Sequence, residues 1–184
     1  MNIPNLLTLL RIILVPVIVI FLMDGAFFKA LVIFIVACIT DGLDGFLARV
    51  LKQKTVLGSH LDPLADKALI VASFITLSVL NVIPSWLTVI VISRDFIILL
   101  GISVLSLMSI SFEVKPAFVS KITTVFQFLT VFLVLVFKKV PEYVNPEMLT
   151  VIYWSTALLT VISGFNYIAR GIRLINGNHG DRAL

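Results

Sequence analysis

The sequence predicts an all-α integral membrane protein with six transmembrane helices and a polar cavity that faces the cytoplasm. Of its 184 residues, 60% are hydrophobic and only 13% are charged, whereas a soluble domain has roughly 25% charged residues. The apolar residues gather in six runs, each close to the roughly 20 residues that a helix needs to cross a bilayer. Four aspartates nevertheless lie between residues 41 and 66. Charged groups at such positions mark a functional site.

Six apolar runs define the predicted spans. They are helices rather than strands, because an open strand cannot satisfy its backbone hydrogen bonds in lipid. The short connectors between them contain prolines that mark turns or helix starts. We therefore expect a single membrane domain over residues 1–184, with spans at residues 4–23, 27–50, 58–82, 85–109, 117–138 and 147–172.

Basic residues predict the orientation of these spans, since short cytoplasmic loops are enriched in lysine and arginine. One side would carry Lys29, Lys138 and Lys139. The other side would carry more basic residues and is therefore expected to be cytoplasmic. These basic residues are Arg11, Arg49, Lys52, Lys54, Lys115, Arg170, Arg173 and Arg182. Both chain ends and the 50–57 connector would then face the cytoplasm.

The four aspartates form two pairs on neighbouring helices. Asp41 and Asp44 are three residues apart and Asp62 and Asp66 are four apart, so each pair lies on one helix face. Asp44 and Asp62 lie ten and eight residues from a turn near position 54, and a rise of about 1.5 Å per residue gives them similar depth. One or two hard divalent cations would relieve their mutual repulsion. The alternative is ion pairing with the cations Arg49, Lys67 and Arg94.

Small residues alternate with the acids on the second span. Gly42, Gly45 and Ala48 would leave a shallow groove where a flat ligand can approach the backbone. Close packing of two helices is an equally good explanation, since small residues serve that purpose in membranes. Arg49 lies beside this groove and could bind phosphate through its planar fork of donors.

These residues together resemble the signature of the CDP-alcohol phosphatidyltransferases. That signature is D-x-x-D-G-x-x-A-R, then eight residues, then G-x-x-x-D-x-x-x-D. The six-span layout fits the same family, so the resemblance covers nearly the whole chain. Every fixed position is met, by Asp41, Asp44, Gly45, Ala48, Arg49, Gly58, Asp62 and Asp66.

The resemblance implies a phosphatidyl transfer from CDP-diacylglycerol to an alcohol, with release of CMP and with Mg²⁺ or Mn²⁺ as cofactor. By similarity, Asp41, Asp44 and Asp62 would hold one metal, and Asp41, Asp62 and Asp66 a second. Asp66 would also be the general base. It further implies a homodimer in the bacterial inner membrane, with the active site on the cytoplasmic side and no nucleic acid partner.

The same resemblance assigns residues to the CDP-lipid. The opening Pro4-Asn5-Leu6-Leu7-Thr8 followed by Arg11 is similar to the P-N-x-x-T-x-x-R segment of members that use sn-glycerol 3-phosphate. Asn5 and Thr8 are therefore expected near the nucleotide, although a helix cap at the membrane surface explains them equally well. The remaining predicted donor contacts are Gly42, Gly45, Ala48, Arg49, Thr55 and Gly58.

Two cations further along the chain are candidates for the acceptor. Arg94 lies about ten residues into the fourth span and Lys121 lies near the start of the fifth. A charge at the depth of Arg94 indicates a functional site, and both side chains could bind an acceptor phosphate. Alternatively, a carboxylate of the aspartate cluster neutralises Arg94.

The acceptor itself has two candidates. The opening segment favours sn-glycerol 3-phosphate, which would give phosphatidylglycerophosphate. Residues 120–127 only partly resemble the G-K-x-K-T-x-x-Q segment of those members, since Ser120 and Thr123 depart from it. Residues 114–127 and 92–95 look like the mitochondrial-type cardiolipin synthases of the family, which use phosphatidylglycerol. Cardiolipin synthesis is therefore the alternative.

Two other classes of protein are less consistent with the sequence. A cation transporter can also contain carboxylates within the membrane, but here they occupy one helical hairpin near one face, and no paired halves of the kind common in transporters are visible. A purely structural membrane protein would leave the four acids unexplained.

Overall fold

The computed structural model describes the backbone of residues 3–50, 56–107, 118–139 and 146–180, and the side chains of residues 9–40, 67–101, 103, 118–138 and 147–172. Within these ranges the helices are joined by turns and no strand is present. The helices are α1 (Ile3–Met23), α2 (Phe27–Val50), α3 (Val56–Val79), α4 (Ser85–Leu107), α5 (Phe118–Lys139) and α6 (Pro146–Gly180). The all-α prediction is thus confirmed for the described residues.

The predicted spans match these helices closely except at the last one. The predicted second span and α2 both end at Val50. The helix α6, in contrast, continues eight residues beyond position 172, where the predicted sixth span ends. Hydropathy locates the apolar part of a helix, but backbone hydrogen bonds can extend it through polar residues.

Two helices are long and apolar enough to cross a bilayer within the described side chains. These stretches are Phe118–Lys138 in α5 and Glu147–Ile172 in α6. The described apolar stretches of α1, α2 and α3 are shorter, at Leu9–Met23, Phe27–Thr40 and Lys67–Val79. That all six helices cross the membrane stays a prediction.

Burial in the described part of the chain differs from that of a soluble protein. Arg11, Arg94 and Gln127 are buried, while Phe28, Phe165 and many other large apolar side chains are exposed. Soluble proteins rarely bury charged side chains or expose wide apolar surfaces. An apolar exterior around polar interior groups suits a chain that is surrounded by lipid.

The first of two compact units comprises Met1–Ser85 and Phe128–Pro146. Here α1 packs against both α2 and α3. Phe34 of α2 is buried and its ring centroid lies 5.8 Å from that of Phe128 in α5.

Two tight turns of this unit have the same pattern of backbone hydrogen bonds. After α1, the N–H groups of Gly25 and Ala26 donate to the carbonyls of Leu22 and Phe21, which is the Schellman pattern of a helix end. After α3, Asn81 and Val82 donate in the same way to Ser78 and Leu77. Gly25 and Asn81 have φ of 70° and 56°, and glycine and asparagine are the residues that best tolerate this left-handed conformation.

The second unit comprises Trp86–Gln127 and Glu147–Leu184, and so contains most of α4, the first half of α5 and most of α6. The rings of Trp86 and Trp154 lie 5.0 Å apart between their centroids. Polar side chains are buried along each helix of this unit, among them Thr88 in α4, Thr123 in α5 and Thr160 in α6.

Candidate active site

The two predicted acid pairs lie on α2 and α3, on opposite sides of the connector at residues 51–55. Asp44 lies six residues before the last residue of α2, and Asp62 lies six residues after the first residue of α3. At a rise of about 1.5 Å per residue, both are about 9 Å from the connector along their helices. Asp41 and Asp66 are nine and ten residues from the same helix ends. The helix bounds therefore support equal depth for the two pairs, while their side chains lie outside the described set.

The predicted CDP-lipid contacts fall on the same unit. Asn5 and Thr8 lie near the start of α1, which packs against the helices that carry both acid pairs. Thr55 lies outside the described residues. The other predicted donor contacts on the hairpin have a described backbone but lie outside the range of described side chains: Gly42, Gly45, Ala48 and Arg49 on α2 and Gly58 on α3.

The metal prediction depends on the same four aspartates. In the part of the chain with described side chains, no three acidic, histidine or cysteine residues come together as metal ligands, and the four aspartates are outside that part. Their chemistry fits a hard cation, because Mg²⁺ and Mn²⁺ prefer carboxylate oxygens. The two-metal site stays a prediction.

Arg94, a predicted acceptor ligand, lies inside the second unit with only 4% of its surface exposed. Its Nη1 donates to Asp95 Oδ1 at 2.6 Å. Its Nη2 donates to Ser120 Oγ at 2.5 Å and to Ser163 Oγ at 3.0 Å. The guanidinium carbon also lies 6.0 Å from the centre of the Tyr167 ring. Among the residues with described side chains, the carboxylate beside Arg94 is thus that of Asp95, its neighbour in sequence.

Lys121, the other predicted acceptor ligand, has a different environment. It follows Ser120 in the first turns of α5 and its side chain is exposed. No hydrogen bond or ion pair joins it to any residue whose side chain the structure describes. Lys121 can therefore meet an anionic ligand directly, whereas the donors of Arg94 are mostly engaged.

Sequence reasoning missed the groups that surround Arg94. Ser163 and Tyr167 of α6 contact its guanidinium, and Thr123 of α5 donates to the Leu159 carbonyl of α6 at 3.1 Å. A signal for them does exist in the sequence, because polar residues recur at helical spacing. They occupy positions 120, 123, 127 and 130 of α5 and positions 156, 160, 163 and 167 of α6.

Comparison with known proteins identifies the class of enzyme. The family model described as CDP-alcohol phosphatidyltransferase matches residues 1–162. The chain therefore belongs to the CDP-alcohol phosphatidyltransferase family. This confirms the predicted enzyme class, in a membrane-bound family whose members generally depend on divalent metals.

Individual relatives extend over nearly the whole chain. A probable phosphatidylglycerophosphate synthase of Mycobacterium tuberculosis is 39% identical over 183 residues, which is 96% of this chain and 84% of the relative. A CDP-diacylglycerol--glycerol-3-phosphate 3-phosphatidyltransferase of Bacillus subtilis is 32% identical over 92% of this chain and 94% of the relative. A CMP-forming cardiolipin synthase of Rattus norvegicus is 34% identical over 95% of this chain and 63% of the relative.

Proposed function

We propose that this protein transfers the phosphatidyl group of CDP-diacylglycerol to sn-glycerol 3-phosphate, forming phosphatidylglycerophosphate and releasing CMP. The observation that carries this proposal is the family match together with the complete acid signature on α2 and α3. The relatives of Mycobacterium tuberculosis and Bacillus subtilis have names that state this product or this acceptor. Both align with more than nine tenths of the chain.

A pair of Mg²⁺ or Mn²⁺ ions is proposed as the cofactor. Asp41, Asp44 and Asp62 would hold one ion, and Asp41, Asp62 and Asp66 the other. Bound there, the ions would offset negative charge on the diphosphate of the donor. The equal depth of the two pairs, worked out from the bounds of α2 and α3, supports the assignment.

Asp66 is proposed as the general base. It would accept the proton of the acceptor hydroxyl, whose oxygen then forms a bond to the phosphorus that carries diacylglycerol. The bond from that phosphorus to the CMP oxygen breaks, and CMP leaves. A positioned carboxylate makes a neutral hydroxyl a competent nucleophile.

The other residues predicted from the family resemblance are proposed to bind the donor. Arg49 and Thr55 would contact the diphosphate, and Asn5 and Thr8 of α1 would lie near the nucleotide. The packing of α1 against α2 and α3 supports this arrangement. Small residues would admit the cytidine to the helix backbone, at Gly42, Gly45, Ala48 and Gly58.

Lys121 is proposed as the direct ligand of the acceptor phosphate, because its ammonium group is exposed at the start of α5. Arg94 was predicted as a second ligand. It could bind a phosphate through two parallel N–H groups only if its Nη2 released Ser120 or Ser163, which both accept hydrogen bonds from it.

Cardiolipin synthesis, with phosphatidylglycerol as the acceptor, is the second candidate. The cardiolipin synthase of Rattus norvegicus supports it through 34% identity over 95% of this chain. The two acceptors differ in chemistry, since glycerol 3-phosphate is a soluble phosphate monoester and phosphatidylglycerol is a lipid phosphodiester.

We also propose a setting for this reaction. Residues 1–184 would form one domain, as the match to residues 1–162 supports. Its six helices would cross the bacterial inner membrane around a polar cavity open to the cytoplasm, as the distribution of lysine and arginine supports. The enzyme would act as a homodimer.

The deciding experiment measures products rather than binding. The purified protein in lipid nanodiscs is given CDP-diacylglycerol, Mg²⁺ and either glycerol 3-phosphate or phosphatidylglycerol, with CMP release and the lipid product followed together. We expect CMP and phosphatidylglycerophosphate in equal amounts with glycerol 3-phosphate. Cardiolipin as the only product would establish the second candidate. Absence of CMP with either acceptor, alongside cation flux in vesicles, would overturn the enzyme assignment in favour of a transporter.

A further inference from the structure

The donor groups of Arg94 are almost fully accounted for within its own unit. A guanidinium group has five N–H donors. Both hydrogens of Nη2 are used, by Ser120 and Ser163, and one hydrogen of Nη1 is used by Asp95. The Nε is buried and makes no hydrogen bond within the described part of the chain. Only Nε and one Nη1 hydrogen therefore remain without a partner among the described residues.

The two remaining donors are poorly placed for a phosphate. Arginine binds phosphate best through two parallel N–H groups along one edge of the guanidinium plane. One such edge joins Nη1 to Nη2 and the other joins Nε to Nη2. Both edges include Nη2, so a phosphate in this fork would have to displace a serine hydroxyl that Arg94 already binds.

The same contacts join three helices near the start of α5. Arg94 of α4 binds Ser120, the third residue of α5, and Ser163 of α6. The backbone of α6 also lies close to the arginine stem, because a Cβ atom at Gly164 would be 3.8 Å from Arg94 Cγ. One turn further along α5, Thr123 bonds the Leu159 carbonyl of α6. The first turn of α5 is thus fixed on two sides.

We propose that Arg94 serves the reaction as a positioning residue, which fixes the first turn of α5 through Ser120 and so presents Lys121 to the acceptor phosphate. This inference rests on the proposed function, in which Lys121 binds that phosphate. Lys121 follows Ser120 directly and has an exposed side chain. Arg94 acts on the acceptor through the backbone of α5, without touching the acceptor.

Ser120→Ala separates this role from direct binding, because the two roles predict changes of opposite sign. If Arg94 positions Lys121, loss of the Ser120 hydroxyl loosens the first turn of α5. The KM for glycerol 3-phosphate should then rise by about three- to tenfold, the range expected for losing one ordinary hydrogen bond. The kcat and the KM for CDP-diacylglycerol should not change. If Arg94 binds the acceptor itself, removal of a competing partner leaves that KM unchanged or lowers it, which would overturn the proposal.

A double-mutant cycle tests whether the effect passes through Lys121. Lys121→Ala alone should raise the KM for glycerol 3-phosphate, and Ser120→Ala should add nothing in that background. Additive effects would show that Ser120 acts elsewhere and would overturn the proposal. A rise with Lys121→Ala but none with Ser120→Ala would leave Lys121 as the acceptor ligand and refute only the positioning role.

Ser103→Ala is the matched control. Ser103 lies on α4 in the same unit. Among the described residues, its hydroxyl donates a hydrogen bond only to the Leu99 carbonyl of its own helix. The same loss of a hydroxyl there should leave every kinetic constant at its original value. An equal rise in KM from Ser103→Ala would show a general response to loss of a helix hydroxyl and would contradict the proposed role of Arg94.

Discussion

Replacement of Arg94 by methionine should destabilise the second unit strongly. Methionine has a similar length but no charge and no N–H donor, so all the polar contacts of Arg94 are lost while most of its volume is kept. Those contacts are three hydrogen bonds of 2.6, 2.5 and 3.0 Å to Asp95, Ser120 and Ser163. The side chain is only 4% exposed, so water cannot take their place.

Two independent estimates of the cost agree. Polar contacts between helices in membrane proteins contribute about 0.6 kcal/mol on average and about 1.7 kcal/mol at most, so three such contacts give about 2–5 kcal/mol. Breaking a buried ion pair by removing one partner costs about 3–5 kcal/mol. A change of 1 kcal/mol lowers the melting temperature of a chain of this size by about 2–4 °C. We therefore expect a decrease of roughly 4–20 °C.

Intrinsic fluorescence provides a local assay for this change. The protein has two tryptophans, Trp86 and Trp154, and both lie in the second unit with their rings 5.0 Å apart. Thermal unfolding of each variant in the same detergent would thus report on the unit that contains Arg94. Arg94→Lys keeps the charge but not the fork of donors, so its melting temperature should lie between those of the native protein and Arg94→Met.

Arg170→Met is the control, because Arg170 is an exposed arginine on α6. An exposed substitution changes stability by less than about 0.5 kcal/mol, so the melting temperature should stay within about 2 °C of the native value. Equal melting temperatures for Arg94→Met, Arg170→Met and the native protein would refute the reasoning, since the buried contacts of Arg94 would then contribute nothing.

Three further predictions concern the reaction and the core. Asp66→Asn should lower kcat by at least about 100-fold, as expected for loss of a general base, without changing the melting temperature; full activity would exclude Asp66 as the base. Chelation of divalent ions should abolish CMP release, and added Mg²⁺ or Mn²⁺ should restore it; activity that survives chelation would contradict the metal assignment. Gln127 is fully buried and neither of its amide atoms has a hydrogen-bond partner in the described part of the chain. An unsatisfied buried group costs about 1–3 kcal/mol, so Gln127→Leu should raise the melting temperature, whereas a decrease would show that the amide has a partner.

The helices could be predicted because the apolar runs that are visible in the sequence are also the physical reason why these segments fold as helices in a membrane. A run of about 20 apolar residues forms a helix in the bilayer, since a helix satisfies all its backbone hydrogen bonds within the one segment. The predicted second span and α2 accordingly have identical ends, at Phe27 and Val50. The predicted sixth span ends at residue 172, whereas α6 continues to Gly180, because backbone hydrogen bonds can extend a helix beyond its membrane span.

The aspartate hairpin could be predicted for a different reason. Four carboxylates are costly anywhere in an apolar chain, so their positions alone required an explanation. Their spacing of three and four residues then placed each pair on one helix face. The helix bounds support the equal depth that this spacing predicted, with Asp44 and Asp62 six residues from the facing ends of α2 and α3.

The environment of Arg94 could not be predicted, because hydroxyl groups in apolar helices look alike in sequence. Most of them donate to a carbonyl four residues earlier in their own helix, as Thr124 does to Ser120 and Thr160 does to Thr156. Ser120 and Ser163, in contrast, accept hydrogen bonds from Arg94, which lies 26 and 69 residues earlier in the sequence. Which hydroxyl meets the cation depends on how α4, α5 and α6 are rotated about their axes, and a local pattern does not contain that information. A charge in lipid therefore indicates that a partner must exist, while only the packed structure shows that Asp95 and two serines are hydrogen-bond partners of Arg94 among the described residues.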